Sequence, residues 1–99
     1  MEKLKFNELQ LNLVRRKLLI AGCVVNLRNK EFSLLYYFMN NMGKVISRTQ
    51  LLEEVWDHNI CCATNTVDVH VNTLRNKFKK FAGRDFIRTV HCIGYVFGE

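Results

Sequence analysis

Residues 64–81, TNTVDVHVNTLRNKFKKF, leave a folding chain few options. Val67, Val71, Leu74, Phe78 and Phe81 follow one another at spacings of four, three, four and three, an apolar stripe at helical period. Such a stripe has to be buried, so the stretch is predicted to form an amphipathic helix over about 65–81 with one side in a core. At ~100° per residue, the opposite face gathers Asn65, Val69, Asn72, Thr73, Asn76 and Lys80. Arg75 and Lys79 flank that face on one side, His70 and Lys77 on the other. Thr64 or Asn65 is placed to cap the first turn. Asp68 suits the positive end of the helix dipole and the lysines its negative end. Amides, a hydroxyl and cations are the groups that base edges and phosphates accept. Val69, apolar at the centre of the polar face, matches the C5-methyl of thymine. The bland alternative is a surface helix with a stray valine and a solvated basic end.

The charge balance favours a polyanionic partner. Fifteen lysines and arginines stand against nine acids, formally +6, with a pI near 9.4. Within residues 65–84, Arg75, Lys77, Lys79, Lys80 and Arg84 face only Asp68, a local excess of +4. Concentrated basicity suits nucleic acid better than diffuse solubilising charge does. If roughly four to six of these cations neutralise phosphates, binding weakens with salt at a log–log slope of about −4 to −5. Ninety-nine residues, 48% of them apolar, predict a single domain over 1–99 with one core. The longest near-continuous apolar stretch, 32–39, is too short to span a bilayer and is broken by Ser33. The opening MEKLKFNE lacks a signal-peptide core. The expected location is cytoplasmic, without membrane contact, and the four cysteines are expected as reduced thiols.

Residues 1–27 read as short strands. Leu4/Phe6 and Leu9/Leu11/Leu13 alternate with polar residues, 12–16 can turn, and Leu18-Leu19-Ile20 is separated from Val24-Val25 by Ala21-Gly22. An antiparallel sheet of three or four strands follows, with Cys23 expected as a small buried hydrophobe. A helix over about 29–41 is marked by Phe32, Leu35, Tyr36 and Met39, with Leu34, Phe38 and Met42 broadening its stripe. Gly43 is placed to end it in a left-handed conformation. Lys44-Val45-Ile46 is a brief extended link. Ser47-Arg48-Thr49-Gln50 reads as a capping box in which Ser47 takes the Gln50 amide and Gln50 reaches back. The helix it opens carries Leu51, Leu52, Val55 and Trp56 inward and stops near Trp56. Residues 57–63 then form a connector longer than a tight helix-turn-helix allows, and loops of that length are often contact surfaces. Beyond the long helix, 86–90 and 95–97 form a hairpin around His91-Cys92-Ile93-Gly94, with Gly94 expected to supply the turn's awkward dihedral. The fold class is α+β: a winged helix-turn-helix with an N-terminal antiparallel sheet, three helices and a C-terminal β-hairpin wing.

At these motifs the chain resembles a known family. RTQLLEEVW, TVDVHVNTLRNKF and IRTVHCIGYVF follow, in order and spacing, the OmpR/PhoB-type winged-helix DNA-binding domain of bacterial two-component response regulators. LRNKEFSLL matches that family's lead-in to its first helix, so the resemblance covers about residues 4–97. It implies a four-stranded N-terminal sheet, the helix of about 65–81 in the major groove of double-stranded DNA, and the wing of 86–97 at the adjacent minor groove. It further implies that Thr66, Val69, His70 and Arg75 face DNA, that Arg48 and Trp56 lie near the phosphate backbone, and that Thr89 stands at the wing's base. The connector, with Asp57, His58, Asn59 and Ile60, corresponds to a contact surface for RNA polymerase. The resemblance also implies a regulator that dimerises on DNA through its full length, whose acidic receiver domain is not in this chain. The departures are specific. Asn65 replaces a frequent Arg, Asn72 and Thr73 replace basic residues, and His91-Cys92 replaces a frequent Arg-Gly pair. Arg28 replaces the usual capping Thr, leaving Asn29 to cap. A wing histidine would make its contact pH-dependent where an arginine would not, with His70 as a competing source.

Sequence-specific binding of double-stranded DNA by a transcription regulator is thus the expectation, with no catalysis, cofactor, metal or small-molecule substrate. Two other classes compete. A thiol- or metal-responsive regulator would use His58, Cys61, Cys62, His91 and Cys92, yet no zinc-type spacing joins them, and adjacent cysteines bridge each other poorly. A protein-interaction module that has lost DNA binding would explain the missing arginines. An enzyme has less support: the three histidines and scattered carboxylates form no local nucleophile–base arrangement.

Overall fold

The computed structural model describes residues 3–56 and 65–98. Four short strands, β1 (Lys3–Phe6), β2 (Leu9–Asn12), β3 (Lys17–Ile20) and β4 (Cys23–Val25), pair in sequence order as an antiparallel sheet. Alternation puts Leu9, Leu11, Leu18, Ile20 and Val25 on one buried face, with Leu18 opposite both Leu11 and Val25. In the turn after β2, the Asn12 side chain accepts the Arg15 amide at 2.9 Å, a bond that favours bends over extended chain. Cys23 departs from expectation and is exposed. It opens an edge strand beside the Ala21-Gly22 turn, and of that strand only Val25 reaches the core.

Helix α1 (Asn29–Met39) buries Phe32, Leu34, Leu35, Phe38 and Met39. Asn29 does not cap it. Arg28 holds the extended capping position, its backbone amide donating to Glu31 Oε1 at 3.3 Å, while Asn29 is already helical and accepts from Arg16 at 2.6 Å. The helix stops at Met39, short of 41, where Asn40 and Asn41 donate their side-chain amides to the Tyr36 and Tyr37 carbonyls. Met42 therefore leaves the stripe and is exposed. Gly43 takes a φ of 78° as expected, and its amide donates to the Phe97 carbonyl at 2.9 Å.

Strand β5 (Ile46–Ser47) runs directly into α2 (Arg48–Val55). Ser47 Oγ accepts the Gln50 amide at 3.0 Å, but the other half of the capping box is missing: the Gln50 side chain donates to the Tyr37 hydroxyl instead, at 2.8 Å. Helix α3 (Asn65–Ala82) buries Val67, Val71, Leu74 and Phe78, with Phe81 half-buried, as the stripe predicts. Its capping position 64 and the connector 57–63 lie outside the described residues.

The wing consists of β6 (Ile87–Val90) and β7 (Gly94–Phe97), and β5 pairs along the other edge of β7 to make a three-stranded sheet. That third strand replaces the expected extended link; two residues carry no periodic signal. The wing turn also differs from expectation. Cys92, not Gly94, takes the left-handed φ, 63°. Gly94 is needed for space: a Cβ there would collide with the Ile46 carbonyl oxygen and stand 2.8 Å from Ser47 Cα. The layers converge on Phe97, whose ring centroid lies 5.6 Å from Phe6, 6.1 Å from Phe38 and 6.4 Å from Phe78. Each such pair adds about 0.5–1.5 kcal/mol beyond its buried area and joins the wing to the N-terminal sheet, α1 and α3. Among the described residues no helix is long and apolar enough to cross a membrane.

Candidate nucleic-acid interface

Burying one stripe of α3 turns the opposite side outward. Asn65, Val69, Asn72, Asn76 and Lys80 are exposed there, with Thr66, His70 and Thr73 half-buried between them. Val69 is 61% exposed, an apolar side chain left in solvent at the middle of the face. Two of the polar groups are already engaged. The Thr73 hydroxyl donates to the Val69 carbonyl at 3.0 Å. His70 Nδ1 lies 2.8 Å from the Thr66 carbonyl, and because a carbonyl only accepts, Nδ1 carries the hydrogen and Nε2 is left for a partner. The ring of Trp56, itself only 7% exposed, braces His70 edge-on at 5.0 Å. Among the described residues, no side-chain hydrogen bond engages Asn65, Asn72 or Asn76.

A second group forms where α2, α3 and the wing meet. Arg48 donates to both carboxylate oxygens of Asp68, at 3.1 and 2.7 Å, and the Tyr95 hydroxyl donates to the same carboxylate at 2.6 Å. Burial first and Asp68 second push the Tyr95 phenol up to about 12. Arg75 donates from Nε to Asp85 and from Nη1 to the Thr89 hydroxyl, both at 2.7 Å, while Asp85 also accepts the Ile87 amide at 3.1 Å. These bonds fix the wing against α3. Arg48, Asp68, Thr89, His91 and Tyr95 line a recess of about 130 Å³ between the helices and the wing turn. His91, Cys92 and Ile93 are exposed at its rim.

The cations are distributed differently from what their sequence density suggests. Lys77 turns away from the outer face to Glu31, at 2.6 Å, and to the Asn26 carbonyl at 3.0 Å. Arg84 is paired with Glu8, and that hydrogen bond holds the Glu8 carboxyl below its usual range. With Arg75 on Asp85, three of the five cations in 65–84 are ion-paired inside the fold. Of those five, Lys79 and Lys80 lack an acidic partner among the described residues. The expected local excess of charge is therefore largely neutralised by carboxylates that sequence order did not place beside it. Asp68, Asp85 and Tyr95 were not anticipated as parts of the site; their partners lie 10 to 27 residues away, with no local pattern linking them. Asp57, His58, Asn59, Ile60, Cys61 and Cys62 lie outside the described residues. Among the described residues no cluster of histidine, cysteine and acidic side chains could hold a metal.

A short helix, a longer one with an exposed polar face, and a hairpin braced against both define a winged helix-turn-helix domain. Residues 22–97 match the family described as "Transcriptional regulatory protein, C terminal". The chain belongs to that family, the OmpR/PhoB-type effector domains of response regulators. It is 46% identical over 92 residues to the uncharacterized transcriptional regulatory protein YclJ of Bacillus subtilis, covering 90% of this chain and 39% of that one. It is 42% identical over 100 residues to the transcriptional regulatory protein QseB of Escherichia coli O157:H7, covering 98% and 42%. The chain thus spans about two fifths of those relatives' lengths. The RstA DNA-binding domain of Klebsiella pneumoniae, solved in complex with the RstA box, superposes with a TM-score of 0.84 at 26% identity, covering 99% of this chain and 98% of that one.

Proposed function

We propose that this domain binds double-stranded DNA in a sequence-dependent way, as the effector part of a cytoplasmic transcriptional response regulator. The observation that carries the reading is the outer face of α3: free amides around an exposed Val69, held rigid by a stripe buried on the other side. A helix of this width fits the major groove, and the wing, braced by Arg75 and Asp68, reaches the adjacent minor groove with Thr89 and His91 at its edge. Arg48, Arg75 and Trp56 act mainly by positioning; Lys80 supplies backbone charge. Membership in a family of regulators, and the capture of RstA on its DNA box, support the assignment. In the same reading the 57–63 connector contacts RNA polymerase, and the full-length regulator binds as a dimer.

Titration of a fluorescent random duplex at low salt tests it. Binding that weakens as salt rises is expected, whereas no binding at low salt would overturn the reading. The internal ion pairs favour one competitor, a protein-interaction module, and the same titration separates the two.

A further inference from the structure

We propose that α3 reads an A·T-rich half-site in the major groove, with Asn72 and Asn76 as readers of adenine and Val69 as the partner of a thymine methyl. The proposal rests on the DNA-binding reading above and names the class of target that reading leaves open.

Three observations on the outer face converge. Asn72 and Asn76 are exposed and, among the described residues, unengaged, so each offers a carboxamide donor and acceptor together. That pair of groups matches adenine N6 and N7 in a bidentate contact. The two amides are one turn apart, roughly 6 Å along the helix, close to two base-pair steps of about 3.4 Å. They can thus address separate base pairs. Val69 lies three residues before Asn72 on the same face and is 61% exposed. In the major groove the group that rewards an aliphatic side chain is the thymine C5-methyl.

The third observation is what the face lacks. Guanine is most often read by a guanidinium fork on O6 and N7. The two arginines nearest this face are both turned to the wing side, Arg48 onto Asp68 and Arg75 onto Asp85 and Thr89. Lys77 faces Glu31. Lys80 shares the face but sits in its last turn, its ammonium over the Phe81 ring at 5.4 Å and beyond both asparagines. The residues that would read guanine are thus withheld, and those that read adenine and thymine are presented.

The test begins with selection of binding sites by this domain from a random duplex library. The selected duplex is then titrated in two altered forms: thymine replaced by uracil, which removes the methyl, and adenine replaced by 7-deazaadenine, which removes N7. An A·T-rich core is expected. Uracil at one position should weaken the wild type roughly three- to fourfold, the worth of one buried methyl, and leave Val69→Ala unaffected. The 7-deazaadenine penalty should be roughly fivefold or more, lost at one adenine in Asn72→Ala and at another in Asn76→Ala. These surface variants should keep wild-type melting. A selected core fixed as G·C, or analogue penalties unchanged in the variants, would overturn the proposal while leaving DNA binding intact. Failure to bind any duplex at low salt would instead remove the DNA-binding reading itself, and this proposal with it.

Discussion

Asp68 accepts hydrogen bonds from Arg48 and Tyr95, and so one carboxylate holds the start of α2, the first turn of α3 and the wing together. Its own burial first, and its bond to the half-buried Asp68 carboxylate second, make the Tyr95 phenol resist ionisation, pushing it from 10.0 to about 12. In the unfolded chain this tyrosine gives up its proton near 10, in the folded chain near 12. The stabilisation is therefore intact below pH 10 and lost as pH climbs through 12. Tyr95→Phe should flatten that part of the stability–pH curve in urea melts, and a tyrosinate absorbance titration should lose its step near 12. Glu8 works in the opposite sense: held low by Arg84, it contributes above the usual carboxylate range and loses that contribution as pH falls. These residue-scale bonds were not legible in the sequence. Asp68 and Tyr95 stand 27 positions apart, and no local rule couples an acid in a helix to a tyrosine in a strand.

Among the elements, α3 was read from sequence almost to the residue, because burial and exposure follow a period the chain states directly. Its two faces give opposite expectations. Leu74→Ala, in the buried stripe, should cost roughly 2–5 kcal/mol in denaturant melts; Val69→Ala on the outer face should cost under ~0.5 kcal/mol. A loss below ~1 kcal/mol for Leu74→Ala would mean the faces are wrongly assigned. The four-stranded sheet was legible for the same reason, since alternation at period two marks which residues face inward. β5 was not, because two residues cannot show a period and its partner is β7, distant in sequence. Gly94 stands out in the sequence as a turn residue, but the turn's left-handed φ belongs to Cys92. The role of Gly94 is to let β7 approach Ile46, so Gly94→Ala should cost about 1–3 kcal/mol or more and loosen the wing from α2. If melts and wing amide exchange are unchanged, the close approach is not structurally required.

At the scale of the whole molecule, net charge was legible but its deployment was not. Sequence gives +6 overall and +4 across 65–84. The fold then brings Glu31, Asp85 and Glu8 onto Lys77, Arg75 and Arg84 from up to 76 positions away. If the phosphate contacts come from 65–84, where two of the five cations are left without an acidic partner, log K against log[salt] should slope at about −2, shallower than the −4 to −5 that residue counting predicts. Lys80→Ala should shallow it by about one unit on every sequence, whereas Lys77→Gln should lower stability by about 1.5–3 kcal/mol, since it removes the ion-pair partner of buried Glu31 and leaves it the Arg28 amide, and leave the slope alone. A slope near −5 would mean that the internal pairs open on DNA or that cations outside 65–84 also reach phosphate.

Those same internal pairs bear on how such a domain finds its target. Sequence-independent adhesion to a chromosome comes almost entirely from free cations on phosphate, and it is what lets a protein slide. With three of the five cations in 65–84 tied to the domain's own carboxylates, that segment has less of this grip than its composition suggests. The domain's visits to random sequence should then be briefer than residue counting predicts, its search should rely more on release and recapture, and the bulk of the genome should withdraw fewer copies from the sites it reads.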